Sequence, residues 1–181
     1  MLLETPDVQL GWQAQPFTLA DPDGNSWSLA QRQDGKPFLI AFICNHCPYV
    51  KAIADRLATD ARQLQSEGVG VVAINANDYV SYPADSPPRM KEFAAQHNFP
   101  FAYLIDEDQS VGRAYDAVCT PDFFGFNARG ELQYRGRIDD ARMGDASGRT
   151  AELVDAMRQI ASTGVGPAQQ HASIGCSIKW R

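Results

Sequence analysis

The chain has 181 residues, of which 44% are hydrophobic and 21% are charged, and its formal net charge at pH 7 is −6. This length and apolar content are typical of one compact domain, residues 1–181, with a full-sized core. The negative charge argues against nucleic acids and anionic membranes as partners, because both attract basic surfaces.

The first ten residues contain Glu4 and Asp7 and lack both a basic start and a sustained apolar stretch, so they do not match a secretory signal. No apolar run approaches the ~20 residues that are needed to span a bilayer. We therefore expect a cytoplasmic protein with no membrane partner.

The predicted elements begin with a hairpin, in which short alternating runs over 17–19 and 26–29 flank an Asp-Gly turn signal. Residues 37–43, PFLIAFI, form a continuous apolar run and predict a central strand that is buried on both faces. The elements predicted after it, in chain order, are a helix from Pro48 to about Gln65, a strand ending at Ile74, a loop over 79–90, a helix over 89–97, a strand over 101–105, a helix over 109–115, a second hairpin with strands over 123–126 and 132–135, and a helix ending before Gly164.

Strands that alternate with helices indicate a parallel core sheet that is covered on both faces, to which the second hairpin adds antiparallel strands. The predicted fold class is therefore α/β, a three-layer sandwich with a central mixed sheet, helices on both faces and an N-terminal hairpin extension. Residues 165–181 show little periodicity and are predicted to be a C-terminal tail.

The main clue to function is the C-x-x-C pair Cys44 and Cys47. Cys44 follows a predicted buried strand and is expected to open a helix, where unpaired backbone N–H groups favour an anion. Such a position can lower a thiol pKa from ~8.5 to between ~3.5 and ~7.5, so Cys44 is the predicted nucleophile. Cys47, three residues later, is placed to close a disulfide and is the predicted resolving thiol.

His46 lies between the two cysteines, where an imidazolium would stabilise a Cys44 thiolate and make the disulfide more oxidising. A solvent-exposed residue in the first turn, with no role in catalysis, is the alternative interpretation of His46.

A C-x-x-C pair also serves as half of a zinc site, and here the best second half is His171 with Cys176. A metal-binding protein that uses Cys44, Cys47, His171 and Cys176 is therefore an alternative function. Zinc motifs usually hold such a pair on a short loop, so the sequence favours redox chemistry and predicts no metal.

The order strand, Cys44-Asn-His-Cys47, helix, with Thr120-Pro121 before the second hairpin, resembles the thioredoxin-like superfamily. It is most similar to AhpC/TSA-type (redoxin) thiol–disulfide oxidoreductases, and especially to uncharacterised bacterial proteins with a C-N-H-C-P-Y-V motif. The resemblance runs from PFTLADPDG to GCSIKW, which is nearly the whole chain.

This resemblance implies that Pro121 is a cis-proline packed against the dithiol and that Thr120 offers backbone hydrogen bonds to an extended substrate. It also implies thiol–disulfide exchange without a bound cofactor, with protein or small-molecule disulfides and thiols as substrates and a separate redox partner. A thiol peroxidase is the alternative enzyme, but Ala41 stands where the peroxidase signature has threonine.

Two further cysteines, Cys119 and Cys176, are candidate accessory redox residues. Cys119 is expected to point away from the dithiol if Thr120 faces it, because side chains alternate along an extended chain. Cys176 could pair with Cys119 or accept the disulfide from Cys44 and Cys47. The charged residues Arg137, Asp139 and Asp140 are interpreted as a surface cluster.

Overall fold

The computed structural model describes residues 1–32 and 34–181. Its strands are β1 (Leu2–Glu4), β2 (Thr18–Ala20), β3 (Ser26–Ser28), β4 (Phe38–Phe42), β5 (Gly70–Asn75), β6 (Ala102–Ile105), β7 (Cys119–Thr120), β8 (Asp122–Phe126), β9 (Leu132–Gly136) and β10 (Ile174–Ser177). Its α-helices are α1 (Leu29–Arg32), α2 (Pro48–Ser66), α3 (Pro87–Gln96), α4 (Ser110–Ala114) and α5 (Glu152–Thr163), with a 3₁₀ helix over Pro83–Asp85.

The central sheet has seven strands in the order β3-β2-β6-β5-β4-β8-β9. Its middle strands β4, β5 and β6 are parallel, whereas β8 and β9 on one side and β2 and β3 on the other are antiparallel. The predicted mixed sheet and both predicted hairpins are therefore confirmed.

Strand β4 is buried along its whole length, because helices and aromatic residues cover both faces of the sheet. On one face, Leu39 and Ala41 pack with apolar residues of α2, α3 and α5. On the other face, Ile40 and Phe42 pack with α4 and with an aromatic cluster that includes Tyr115. This is the expected three-layer thioredoxin-like sandwich.

Helix α2 forms where apolar residues recur every three or four positions, and this stripe is buried against the sheet. Pro48 lies in its first turn, where a missing N–H costs nothing. Gly68, with φ of 87°, follows its last turn and takes the left-handed conformation that glycine adopts readily. Among the described residues, no helix is both long and apolar enough to cross a membrane.

Residues 165–181, which the sequence predicts to be a C-terminal tail, contain a strand in their central part. Strand β10 lies between β1 and β7 in a second, three-stranded antiparallel sheet. Neither β1 nor β10 has a strong alternating pattern, so pairing with distant residues determines their structure.

The interpretation of residues 137–140 as a surface cluster is wrong for Asp139, which is 1% exposed. Its carboxylate accepts a hydrogen bond from Arg56 Nε at 2.6 Å and another from Arg149 Nη1 at 3.0 Å. These contacts join α2 to the segment that follows β9.

Candidate active site

The two cysteines of the C-x-x-C pair lie between β4 and α2. Cys44 is two residues beyond the end of β4, and Cys47 is the N-cap residue of α2. The helix therefore begins after Cys47, and the expectation that Cys44 opens it is wrong by three residues. Both cysteines are free thiols, and their side chains are 1% and 0% exposed.

Thr120 and Pro121 lie against this dithiol, as the resemblance implied, and the bond between them is cis. The Thr120 hydroxyl is 3.2 Å from Cys44 Sγ, and its carbonyl oxygen is 3.3 Å from Cys47 Sγ. One residue of β7 thus contacts both sulfurs.

Asp85, which belongs to no motif of the sequence, is a buried charged residue beside Cys44. Its carboxylate accepts hydrogen bonds from the Asn45 amide at 2.7 Å and from the Asn77 side chain at 2.8 Å, and it lies 2.6 Å from His46 Nδ1. Burial acts to raise the pKa of Asp85, but these hydrogen bonds outweigh it and the pKa is lowered. Asp85 therefore carries a negative charge next to the dithiol.

A structural rule of parallel sheets could have pointed to this loop. The loops that follow neighbouring parallel strands β4 and β5 meet at the same sheet edge, so residues after β5 lie near the dithiol. Nothing in the local sequence separates Asp85 from the other polar residues of that loop.

His46 projects to the rim of the site, where its side chain is 28% exposed. Its ring is parallel to that of Tyr82, with 5.9 Å between the ring centroids. Reactive atoms of Cys44, His46 and Asp85 all lie within 4.8 Å of one another. His46 is thus close enough to influence the charge on Cys44.

The two thiols affect each other's ionisation most strongly. The pKa of Cys47 is lowered to about 4, chiefly because the Cys44 thiol donates a hydrogen bond to its sulfur. Burial opposes this change, whereas the Cys176 thiol and the backbone N–H groups of Cys176 and Val50 assist it. The pKa of Cys44 is raised well above that of a free thiol by the same hydrogen bond, by burial and by the charge of Asp85.

These effects place the first thiolate on Cys47, although its contact with the Thr120 carbonyl favours a protonated sulfur there. We assign the charge to Cys47 because the thiols of Cys44 and Cys176 lie near its sulfur and favour its charged form, and because Asp85 opposes an anion at Cys44. The assignment of Cys44 as the attacking thiol stays a prediction.

Cys176 and Cys119 occupy opposite faces of the small sheet. Cys176 is the partner of Thr120 across the β10–β7 ladder, and it packs against the cluster that contains both thiols of the C-x-x-C pair. Cys119 is fully buried, with its sulfur 3.8 Å from the carbonyl oxygen of Pro121. Because their side chains project from opposite faces, the two are not arranged to pair with each other.

The zinc site considered from the sequence is not assembled. His171 Nδ1 lies 3.3 Å from a carboxylate oxygen of Glu152 rather than beside the thiols. In the part of the chain that the structure describes, the group with ligand-like spacing is Cys44, His46 and Asp85. His46 and Asp85 are hydrogen-bonded to each other in that group.

A mostly apolar cavity of about 350 Å³ opens beside Pro121. Its lining includes Leu2, Tyr49, Ile53, Pro121, Ile138 and Met143. The arrangement thus combines a dithiol, a cis-proline segment and an adjoining apolar recess.

Comparison with known proteins agrees with this geometry. Residues 10–135 match the model of the AhpC/TSA family. An uncharacterised conserved protein from Geobacillus kaustophilus has a similar structure, with 43% identity, a TM-score of 0.92, and coverage of 100% of this chain and 97% of that one. The thioredoxin domain of a thiol-disulfide oxidoreductase from Bacteroides vulgatus matches in fold, with a TM-score of 0.67, 16% identity, and coverage of 86% and 99%.

Among curated proteins, the chain is similar to the thiol-disulfide oxidoreductase ResA of Bacillus subtilis, with 26% identity over 125 residues. The match covers 69% of this chain and 65% of the length of that relative. With the family match spanning well over half of its length, the chain belongs to the AhpC/TSA family and has a thioredoxin-like fold.

Proposed function

We propose that this protein is a thiol–disulfide oxidoreductase that exchanges two electrons through Cys44 and Cys47. The observation that supports this most directly is the pair of buried free thiols just before α2, both of which lie within hydrogen-bond distance of Thr120. The similarity to ResA and the family match agree with it.

In the proposed reaction, the Cys44 proton moves to Cys47 along their hydrogen bond, and the Cys44 thiolate attacks a substrate disulfide. The substrate S–S bond breaks, a mixed disulfide forms at Cys44, and the first substrate thiolate leaves. Cys47 then gives its proton to this leaving thiolate and attacks the Cys44 sulfur, which releases the second thiolate. The substrate gains two electrons, and the Cys44–Cys47 disulfide forms.

The substrates are disulfides or thiols of proteins or small molecules, and a separate redox partner restores the dithiol. Thr120 and Pro121 are the proposed substrate-positioning residues, since Thr120 contacts both sulfurs. The apolar recess beside Pro121 suits an apolar side chain of a protein substrate.

The test is the exchange rate of the reduced protein with a peptide disulfide, together with mass mapping of the oxidised product. We expect a Cys44–Cys47 disulfide, and loss of turnover in Cys47→Ser, whereas Cys119→Ala retains it. Turnover that survives in Cys47→Ser would refute this function. Hydroperoxide consumption without disulfide exchange would instead support the peroxidase alternative.

His46 is the proposed tuning residue, because its ring lies close to both Cys44 and Asp85. Replacing it in His46→Ala removes a side chain that can carry positive charge, so we expect a more negative reduction potential for the dithiol. An unchanged potential, measured by equilibration with glutathione, would remove His46 from the mechanism.

A further inference from the structure

Strand β10 brings a third sulfur to the dithiol. Cys176 is paired with Thr120 across the ladder, and cross-strand partners project from the same face of a sheet. Thr120 directs its hydroxyl at Cys44 and its carbonyl at Cys47, and Cys176, on the same face, packs against the buried cluster that holds both thiols. Both Cys44 and Cys176 affect the ionisation of Cys47, so Cys47 is the thiol that lies near both of them.

The position of Cys176 is held by its surroundings. On its other side, β10 pairs with β1, where Leu2 is the partner of Cys176. A side chain at Gly175 would overlap with the carbonyl oxygen of Thr120, so glycine permits the close approach of β10 to β7. The hydroxyl of Ser173 donates a hydrogen bond to the Pro121 carbonyl, which anchors the start of the strand.

The three sulfurs also differ in how far they reach toward solvent. Cys44 and Cys47 are 1% and 0% exposed, whereas Cys176 is only partly buried. A large redox partner therefore meets Cys176 first, and the C-x-x-C disulfide would lie behind it.

From this geometry we infer that Cys176 is a third redox-active cysteine, which takes over the disulfide from Cys44–Cys47 and presents it to an external dithiol. The inference rests on the proposed function, since that reaction forms the first disulfide. It adds a route by which the oxidised protein is reduced again.

The disulfide moves from Cys44–Cys47 to Cys47–Cys176 by thiol–disulfide exchange within the chain. Cys176 loses its proton and attacks the sulfur of Cys47, the Cys44–Cys47 bond breaks, and Cys44 leaves as a thiolate that takes up a proton. No electrons enter or leave the chain in this step. A thiolate of the external dithiol then attacks Cys176 and releases Cys47, and its second thiol completes the reduction by forming the external disulfide.

The first arm of the test traps the new disulfide in Cys44→Ser, using oxidised glutathione as the oxidant. Attack at either remaining thiol leads to the same product, so acid quenching, alkylation and peptide mapping should show a Cys47–Cys176 disulfide. The same bond should form in Cys44→Ser/Cys119→Ala and be absent from Cys44→Ser/Cys176→Ser. A folded Cys44→Ser protein that carries only glutathione adducts would overturn the inference.

The second arm measures how fast the oxidised protein is reduced by a thioredoxin-type protein dithiol. Cys176→Ser keeps a hydroxyl donor beside Cys47 but cannot form a disulfide, and we expect reduction to slow by about tenfold or more. Cys119→Ala should match the wild-type rate. Reduction of Cys176→Ser at the wild-type rate would overturn the inference, even if the first arm yields the trapped disulfide.

The two proposals fail in different ways. If the wild-type protein forms no Cys44–Cys47 disulfide and exchanges with no substrate, the proposed function fails. If it does both, and Cys176→Ser is oxidised and reduced at wild-type rates, only the role of Cys176 fails. Circular dichroism and thermal unfolding of each variant identify any loss of fold.

Discussion

The ionisation of Cys47 depends on the hydrogen bonds that its sulfur accepts. The Cys44 thiol is the main donor, and the thiol and backbone N–H of Cys176 add to its effect. Hydrogen bonds to the charged form favour that form, so they lower the pKa of the thiol. The buried dithiol therefore loses one proton readily and holds the other tightly.

We predict that ultraviolet thiolate absorbance of the reduced protein rises with pH through a midpoint near the Cys47 pKa of about 4. The thiolate is then populated above this pH and lost as pH falls through it. Cys44→Ala removes the main donor and should move the midpoint toward the free-thiol value of ~8.5. Cys119→Ala is the matched control and should leave it unchanged, and a wild-type midpoint near 8.5 would contradict the assignment.

The charge of Asp85 acts on the second proton of the pair. It raises the pKa of Cys44, after the larger effects of the Cys47 hydrogen bond and burial. In Asp85→Asn this charge is gone, so we expect the second, alkaline step of thiolate absorbance to move to lower pH. Glu92→Gln neutralises an exposed carboxylate of α3 and should not shift the step. An alkaline step that stays in place in Asp85→Asn would exclude an electrostatic role for Asp85.

Strand β10 is the element that completes the site, because it places the thiol and the N–H of Cys176 beside Cys47. Its approach to β7 depends on Gly175, which has no side chain to meet the Thr120 carbonyl. The Thr120 carbonyl oxygen belongs to the backbone, so it cannot move aside from a new side chain at Gly175 in the way a flexible side chain could. The distance between β10 and the dithiol therefore depends on the absence of a methyl group at position 175.

Gly175→Ala should destabilise the protein by about 1–3 kcal/mol, the usual cost of forcing an extra group into a packed site. It should also raise the Cys47 pKa by moving the Cys176 donors away. Gly70→Ala is the control, since there the new methyl group would make an ordinary 3.4 Å contact with Phe38. Denaturant unfolding measures the first effect, and equal stability of the two variants would show that β10 does not need glycine.

A buried network of ion pairs joins helix α2, which follows the dithiol, to the segment between β9 and α5. Arg149 donates to both carboxylate oxygens of Asp60 in α2, at 2.9 Å and 2.6 Å, and also to Asp139. Arg56 of α2 donates to the same Asp139. Because Asp60 and Asp139 are almost fully buried, each requires these partners.

Arg149→Met should lower the free energy of unfolding by about 3 kcal/mol, because it leaves the buried Asp60 charge without its partner. Arg158→Met removes a bidentate pair with Glu67 at the surface, and there the loss should stay below about 1 kcal/mol. Denaturant midpoints of the two variants give the comparison. Similar losses in both would mean that burial of the network adds nothing to stability.

Local sequence patterns were sufficient to predict a buried strand before the C-x-x-C pair and helix α2 after it. They also predicted that strands alternate with helices along the chain and form a central sheet. Continuous apolar runs, helical spacing and turn residues are properties of neighbouring positions, so they can be read without the fold. The resemblance to relatives supplied the cis-proline at position 121, since nothing local distinguishes it from a trans one.

The tertiary structure decided which distant residues meet the dithiol. Asp85 and Cys176 are 41 and 132 positions from Cys44, and the burial of Asp139 depends on arginines in α2 and beyond β9. Pairing across sheets and loops brings these groups together, and no periodicity within one segment encodes such contacts. Only the folded structure therefore determines the pKa values of the two thiols, the position of β10 and the neighbours of Cys176.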